Sequence, residues 1–367
     1  MRTFGKFLRG KVFEIFFIVF VFLSIFYVSN RMGKLSCFLV EKDYKKVIFA
    51  FLLILLGYMF IYLKSKNNRK KTRNLYEGCS VIACFLLYLT MGLWIYDSIC
   101  WFLHVQFDEG YIFPVLISVV IVLYGFYHAK KIYRKEYDIS LGLIKRMKIV
   151  LLSDIHVGTF VDGKQLKKIV SEVNSMEADS IWIAGDLFDV DAFDYCDLNK
   201  ISSILKKLRA KKGIYACLGN HDPNSKSEKI KDFYKKTNIQ LILDDYKKMD
   251  EFTIIARDDI TTNVHRKKLS ELMKDINSDK PCIVMDHNPL GILEAIENNV
   301  DLIVCGHTHK GQFFPANVFT KLAYGKRGYY GYSKSDNTQS IVSSGVGFFQ
   351  MPMRIGSNSE IVIINID

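Results

Sequence analysis

None of the eight cysteines stands in a C-x-x-C pair, so neither a thiolate-held zinc nor a dithiol redox motif is encoded. They divide four and four between the two parts of the chain, and several fall in apolar runs. There cysteine behaves as a small buried apolar residue, which suits a reducing compartment. Internal repeats and low-complexity tracts are missing too. Acidic residues are scarce in one region: the first 146 residues hold 9 Asp and Glu against 21 Lys and Arg, the whole of the net charge of +12, while the remainder holds 29 of each. A chain this basic invites a nucleic-acid reading, but its positive charge is interleaved with membrane-length apolar segments rather than gathered on one soluble face. No nucleic-acid surface is expected. Disorder is excluded as well, because 50% apolar and 14% aromatic residues far exceed what a solvated chain carries.

Four runs are almost without charge: 12–28, 47–63, 79–96 and 112–127, each of 16 to 18 residues. That is close to the ~17 to 25 residues that cross a hydrocarbon core, and flanking aromatics and lysine stems extend them. None has the polar face of a buried helix in a soluble protein. The first is too long for the apolar region of a signal peptide, contains Glu14, and lacks a small-x-small cleavage site, so it reads as a retained anchor. Residues 1–135 are therefore expected to form an α-helical membrane domain of four transmembrane helices. Only Glu14 and Asp97 place charge near a span, so no ion or proton path is indicated. Lys and Arg set the orientation. The N-terminus carries four, the loop between the second and third spans six, and the segment after the fourth span four, which puts 14 on one side. Opposite them stand the five of the first loop (Arg31, Lys34, Lys42, Lys45, Lys46) and none in the third, which holds Asp108 and Glu109. A multi-pass cell-membrane protein with both termini in the cytoplasm is expected, with the lipid bilayer as a partner.

After a linker at 136–146, the pattern changes to short apolar strands alternating with amphipathic helices. Residues 148–153, 180–184, 214–218, 281–285 and 302–304 read as buried strands, with later strands at 341–343 and 361–364. Leu166, Ile169, Val170 and Val173 recur at i, i+3, i+4 and i+7, one face of a helix. Five cations over 206–212 read as the solvated end of another helix. Residues 147–367 are enough for one α/β domain with a proper core.

Each of the first five strands ends in polar residues: Ser153-Asp154-Ile155-His156; Gly185-Asp186-Leu187-Phe188-Asp189; Gly219-Asn220-His221-Asp222; Asp286-His287-Asn288-Pro289; and Gly306-His307-Thr308-His309. The carboxyl ends of strands are where an α/β sheet gathers functional groups. Five of the eight histidines are in these tips. Without a cation, such a cluster would be a costly set of unpaired polar groups. Two divalent cations resolve that cost, and a nitrogen and oxygen donor set without thiolate suits Mn²⁺, Fe, Zn²⁺ or Co²⁺.

The order D-x-H, G-D, G-N-H-D, H, G-H-x-H resembles the calcineurin-like metallophosphoesterases over residues 147–367. Gly306 to Gln312, GHTHKGQ, is similar to the G-H-T-H-G-G-Q of the YkuE/YaeI-like phosphodiesterase branch, with Lys310 in place of a glycine. Ser344-Gly345-Val346-Gly347 and Pro352-Met353-Arg354 resemble that branch's C-terminal segment. The resemblance implies a four-layer αββα sandwich. It implies one metal on Asp154, His156, Asp186 and His309 and a second on Asp186, Asn220, His287 and His307. Asp186 would then bridge the two, together with a water or hydroxide. His221 is left as the non-ligand imidazole and general acid, with Asp222 fixing its tautomer. Asp189 and Asp286 are read as supports rather than ligands.

The expected function is membrane-anchored, dinuclear metal-dependent phosphoester hydrolysis by a metal-bridging hydroxide, with a phosphodiester or lipid-linked phosphate as the favoured substrate. A protein phosphatase fits less well, since there is no large insertion for a protein substrate. A non-catalytic membrane sensor fits less well because no donor of the set is missing. The stretch 324–332, basic and tyrosine-rich, is expected at the mouth of the site or on the bilayer interface.

Overall fold

A long apolar run favours helix because a helix satisfies its backbone groups internally, with or without water around it. In the computed structural model, which describes residues 2–64, 69–190, 192–274, 276 and 280–367, each of the four runs lies in a helix. These are α1 (Arg2–Val40), α2 (Lys45–Lys64), α3 (Arg69–Phe102) and α4 (Ile112–Ala129), the last preceded by a 3-10 turn at Asp108–Tyr111. Lys66, counted above among the loop cations, lies outside the described residues, as do the side chains of residues 2–18, 58–64 and 69–75. Among the described residues, two segments are long and apolar enough to cross a membrane, Tyr76–Phe102 and Asp108–Ala129.

The chain divides into two units, Met1–Tyr124 and Gly125–Asp367. In the first, Ile25, Val28, Leu52, Leu89 and Leu93 form a core. Helix α1 continues well past residue 28, so Arg31 and Lys34 are helical rather than part of a loop. Arg31 Nε donates to Asp97 of α3 at 2.8 Å, and the hydroxyls of Tyr27 and Tyr111 donate to the same carboxylate. A charge among apolar helices requires such partners. Lys34 pairs with Asp108 at 3.1 Å.

The second unit opens with β1 (Ile132–Ile139) and β2 (Met147–Leu152), then α5 (Gly163–Asn174), β3 (Ser180–Ala184), α6 (Ala192–Tyr195), α7 (Leu198–Leu205) and β4 (Ile214–Cys217). There follow α8 (Glu228–Lys235), β5 (Ile239–Leu241), β6 (Asp245–Lys248), β7 (Thr253–Ala256), α9 (Leu269–Leu272), β8 (Cys282–Met285) and α10 (Gly291–Glu297). The chain closes with β9 (Leu302–Cys305), α11 (Ala316–Tyr329), β10 (Gly331–Ser335), β11 (Thr338–Val342) and β12 (Ser359–Ile366). They build two six-stranded mixed sheets, ordered β1-β12-β2-β3-β4-β5 and β10-β11-β9-β8-β7-β6. Trp182, Ile254, Ile283, Leu302, Ile341 and Val362 fill the space between the sheets. Helices α5, α7 and α8 cover the outer face of the first sheet with residues such as Leu166, Ile204 and Phe233, and α9 and α10 cover that of the second with Leu269 and Ile292. This is the expected αββα arrangement of layers.

Helix α5 forms where its periodicity places it. Asp162 caps it by accepting from the N–H groups of Lys164 and Gln165, and Leu166, Ile169, Val170 and Val173 are buried. Two expectations fail. The linker at 136–146 begins inside β1, whose residues pair in parallel with β12 from Ile132 opposite Ser359 to Ile139 opposite Ile366. This edge strand exposes Arg134, Lys135 and Glu136, so its charge resembles that of a tether. The five cations of 206–212 lie beyond α7, which ends at Leu205.

Candidate active site

Residues at a strand's end need not keep extended backbone, and here several leave it sharply. Asp154, His156, Asp186, His307 and His309 all have positive φ, between 50° and 73°. Non-glycine residues rarely adopt this left-handed region, and its cost is met where surrounding structure holds them. The tips hold one another. The Asp154 N–H donates to the Gly185 carbonyl at 3.1 Å and the His156 N–H to the Asp186 carbonyl at 3.0 Å, joining the ends of β2 and β3. Both Asp154 carboxylate oxygens accept the His307 N–H at 3.0 Å, tying the first sheet to the second.

Two groups of donors result, and their atoms lie within 4.8 Å of one another in each: Asp154, His156 and His309, and Asp154, Asp186 and His287. In the first, the Nε2 atoms of His156 and His309 are 3.0 Å apart, with Asp154 Oδ1 3.5 Å from His309 Nε2. In the second, His287 Nε2 is 3.2 Å from Asp186 Oδ2 and 3.1 Å from Asn220 Oδ1. Asn220 Oδ1 is also 2.7 Å from His307 Nδ1. Asp186 faces both groups, since its Oδ2 is 3.7 Å from His156 Nε2. All seven expected ligands are thus brought together.

The chemistry of the set fits divalent cations. His287 Nδ1 donates to the Ala184 carbonyl at 2.9 Å, which leaves Nε2 to face the oxygens of Asp186 and Asn220. Two buried imidazole nitrogens at 3.0 Å repel unless a proton or a cation lies between them, and burial pushes the His156 imidazole down to about 3, partly offset by Asp186. Burial raises the Asp154 carboxyl to about 6, partly offset by His287. Asp186 is also buried, but His287, His156 and His221 together hold it below the usual carboxylate range. Burial also lowers the imidazoles of His307 and His309, whereas His287, although buried, is held well above the usual imidazole range by Asp186 and Asp154, so a cation there would take the place of its proton.

His221 and Asp222 do not form the expected pair. Asp222 accepts from the backbone N–H groups of Gly219 and Phe188 at 2.9 Å and of Leu187 at 3.4 Å, so it fixes the loops and not the imidazole. The His221 N–H donates to Asp186 at 2.8 Å, its Nδ1 has no hydrogen-bond partner among the described residues, and its ring lies 4.5 Å from that of Phe349. Asp189 forms a third donor group with His156 and His221, its Oδ1 4.0 Å from His156 Nδ1. Asp286 stands apart, paired with Arg266 at 2.9 Å.

Three residues bear on the site in ways their sequence positions do not announce. The buried Arg354 guanidinium donates to the carbonyls of His309 and Ser344 and approaches His309 Nδ1 at 3.3 Å. Gln312 accepts the Phe349 N–H at 2.7 Å and donates to the carbonyls of Phe349 and Met351, which seats Phe349 against His221. The Tyr324 hydroxyl is 2.8 Å from His307 Nε2. Much of the 324–332 stretch is therefore ordered, as the end of α11 and the start of β10. For Arg354 and Gln312 the only sequence signal was membership of a familiar motif.

Residues 147–311 match the calcineurin-like phosphoesterase family. An uncharacterized metallophosphoesterase of Campylobacter jejuni is 27% identical over 96% of this chain and 97% of its own. One from Helicobacter pylori is 32% identical over 63% of each chain. A transmembrane protein with metallophosphoesterase domain from Bos taurus is 31% identical over 59% of this chain and 52% of its own. With the motif tips gathered as above, residues 147–311 carry a calcineurin-like phosphoesterase domain, which is the domain of a metal-dependent phosphoesterase.

Proposed function

We propose that the protein is a membrane-anchored phosphoesterase acting on a phosphodiester or a lipid-linked phosphate. The observation that carries the reaction is Asp186, placed between two groups of donors drawn from five strand ends. One cation would be held by Asp154, His156, Asp186 and His309, and the other by Asp186, Asn220, His287 and His307. Bound there, the pair would acidify a water and clamp the phosphoryl oxygens during in-line displacement. The chain's own groups orient that chemistry. Ala184 sets the His287 tautomer, Arg354 holds the His309 backbone, and Tyr324 touches His307. His221, seated on Phe349 and not engaged by Asp222, is the group suited to hydrogen-bond the leaving oxygen. Anchoring is supported by the apolar helices and by relatives named as transmembrane proteins. It would raise the effective concentration of a lipid-borne substrate.

The test uses the full chain in detergent with Mn²⁺, Fe²⁺, Zn²⁺ or Co²⁺, assayed on bis-p-nitrophenyl phosphate and p-nitrophenyl phosphate. Hydrolysis of the diester is expected, with Asp186→Asn lowering it by more than about 10²-fold and reducing bound metal. No turnover of either compound with any of the four cations would overturn the reading.

A further inference from the structure

Helix α11 has two unlike faces. Tyr324 turns toward the site and meets His307. About 200° around the helix from it stands Leu322, which is 77% exposed, with Phe319 at 67% and Val318 at 46% on the same side. Single exposed apolar residues are common on any surface, but three on one helical face are not scattered. Cations border this face: Lys321 is exposed within the helix, Lys326 and Arg327 are exposed just past the break that Gly325 makes at φ 64°, and α11 has no acidic residue. Past the break, the end of α11 lies against the start of α10, which exposes apolar residues of its own. A Cβ on Gly328 would meet Pro289 at 3.4 Å, and Leu290 and Leu293, which follow Pro289, are 53% and 62% exposed.

We propose that this outer face of α11, with the start of α10, docks on an anionic lipid bilayer, so that the rim of the active site carrying Tyr324 meets the lipid surface. The inference rests on the phosphoesterase reading of the site and names where its substrate is presented. Apolar side chains bordered by cations, with no acid on α11 and with Glu294 of α10 engaged by Arg257, match a headgroup boundary in which rings and aliphatic chains enter and ammonium and guanidinium groups meet phosphate. A water-soluble protein partner of no stated charge would not require the cations. The same chain holds helices long and apolar enough to cross a membrane, so a bilayer is the surface always within reach.

The experiment is hydrogen–deuterium exchange on the full chain in nanodiscs of phosphatidylcholine, with and without about one third phosphatidylglycerol. Each cation near an anionic surface changes partitioning by about fivefold, so amides of residues 316–329 are expected to exchange at least fivefold more slowly with phosphatidylglycerol. Two variants, Lys321→Ala/Lys326→Ala/Arg327→Ala and Phe319→Ser/Leu322→Ser, should each restore fast exchange. Peptides from β2 and β3 in the same digest report whether the variants are folded. Equal exchange in both lipids and in all variants would overturn the proposal. So would slowing that follows protein concentration in disc-free detergent, which would assign the face to a second copy of the chain. A chain that does not enter discs would remove the spans and this docking surface together. The readout is independent of turnover, so the phosphoesterase reading stands or falls by its own assay.

Discussion

The carboxylate of Asp222 is buried and accepts three backbone N–H groups, while burial and the nearby charge of Asp186 push it up to about 7. Removing a partner that strands a buried donor costs about 1–3 kcal/mol. Asp222→Ala is therefore expected to destabilise the unit by at least about 3 kcal/mol, roughly 6–12 °C in the thermal midpoint for a domain of this size. Asp222→Asn, which keeps an acceptor, should lose less. Differential scanning calorimetry decides it, and a midpoint unchanged by Asp222→Ala would show that those amides find other acceptors. The sequence put Asp222 on His221 because the two are adjacent. Neighbouring side chains in non-helical backbone diverge, and here one turns to the loops and the other to Phe349. By contrast, the gathering of the seven expected ligands was legible, because each stands in a short polar motif just after a strand, in an order that resembles a known family. The positive φ at Asp154, His156, Asp186, His307 and His309 was not, since non-glycine residues give no local sign of that backbone.

Among elements, the buried strands β2, β3, β4, β8 and β9 were readable as apolar runs, and their tips carry the site. The edge strands β1 and β10 were not. IYRKEYDI exposes three consecutive charged residues and GYSKS exposes Tyr332 and Lys334, and only pairing with a neighbour distinguishes them from a loop. Strand β7, TIIA, is as short and as completely buried as β4, β8 and β9, but no histidine-bearing motif follows it to mark its end. How closely the tips approach one another is visible only in three dimensions. Gly219, just past β4, lies so near the end of β3 that a Cβ there would be 2.1 Å from Asp186 Oδ1, and one on Gly185 would be 2.6 Å from His287 Nδ1. Gly219→Ala should displace Asp186 and lower diester hydrolysis by about 10²-fold or more. Metal stoichiometry should fall in parallel, by inductively coupled plasma mass spectrometry. Wild-type metal content and rate in that variant would mean that the β4 loop yields without moving the carboxylate.

For the molecule as a whole, the expected orientation rests on a count of cations, some of which are paired. Two of the five on the opposing side, Arg31 and Lys34, lie within α1 and are paired with Asp97 and Asp108, so they are not loop charges awaiting a side. The expected placement of both termini in the cytoplasm has a direct test. In sealed right-side-out vesicles, added protease should leave tags on both ends intact, and permeabilisation should expose them. Cleavage from outside would reverse the orientation. The two-sheet construction of the second unit has a further consequence. Donors of the first sheet (Asp154, His156, Asp186, Asn220) and of the second (His287, His307, His309) meet only where the sheets abut. A cation bound by both is then a clasp between halves of the fold, and binding and folding share one equilibrium. Above its dissociation constant, each tenfold rise in free cation adds about 1.4 kcal/mol to the native state. The supply of metal would thus govern how much folded enzyme persists as well as how fast it turns over.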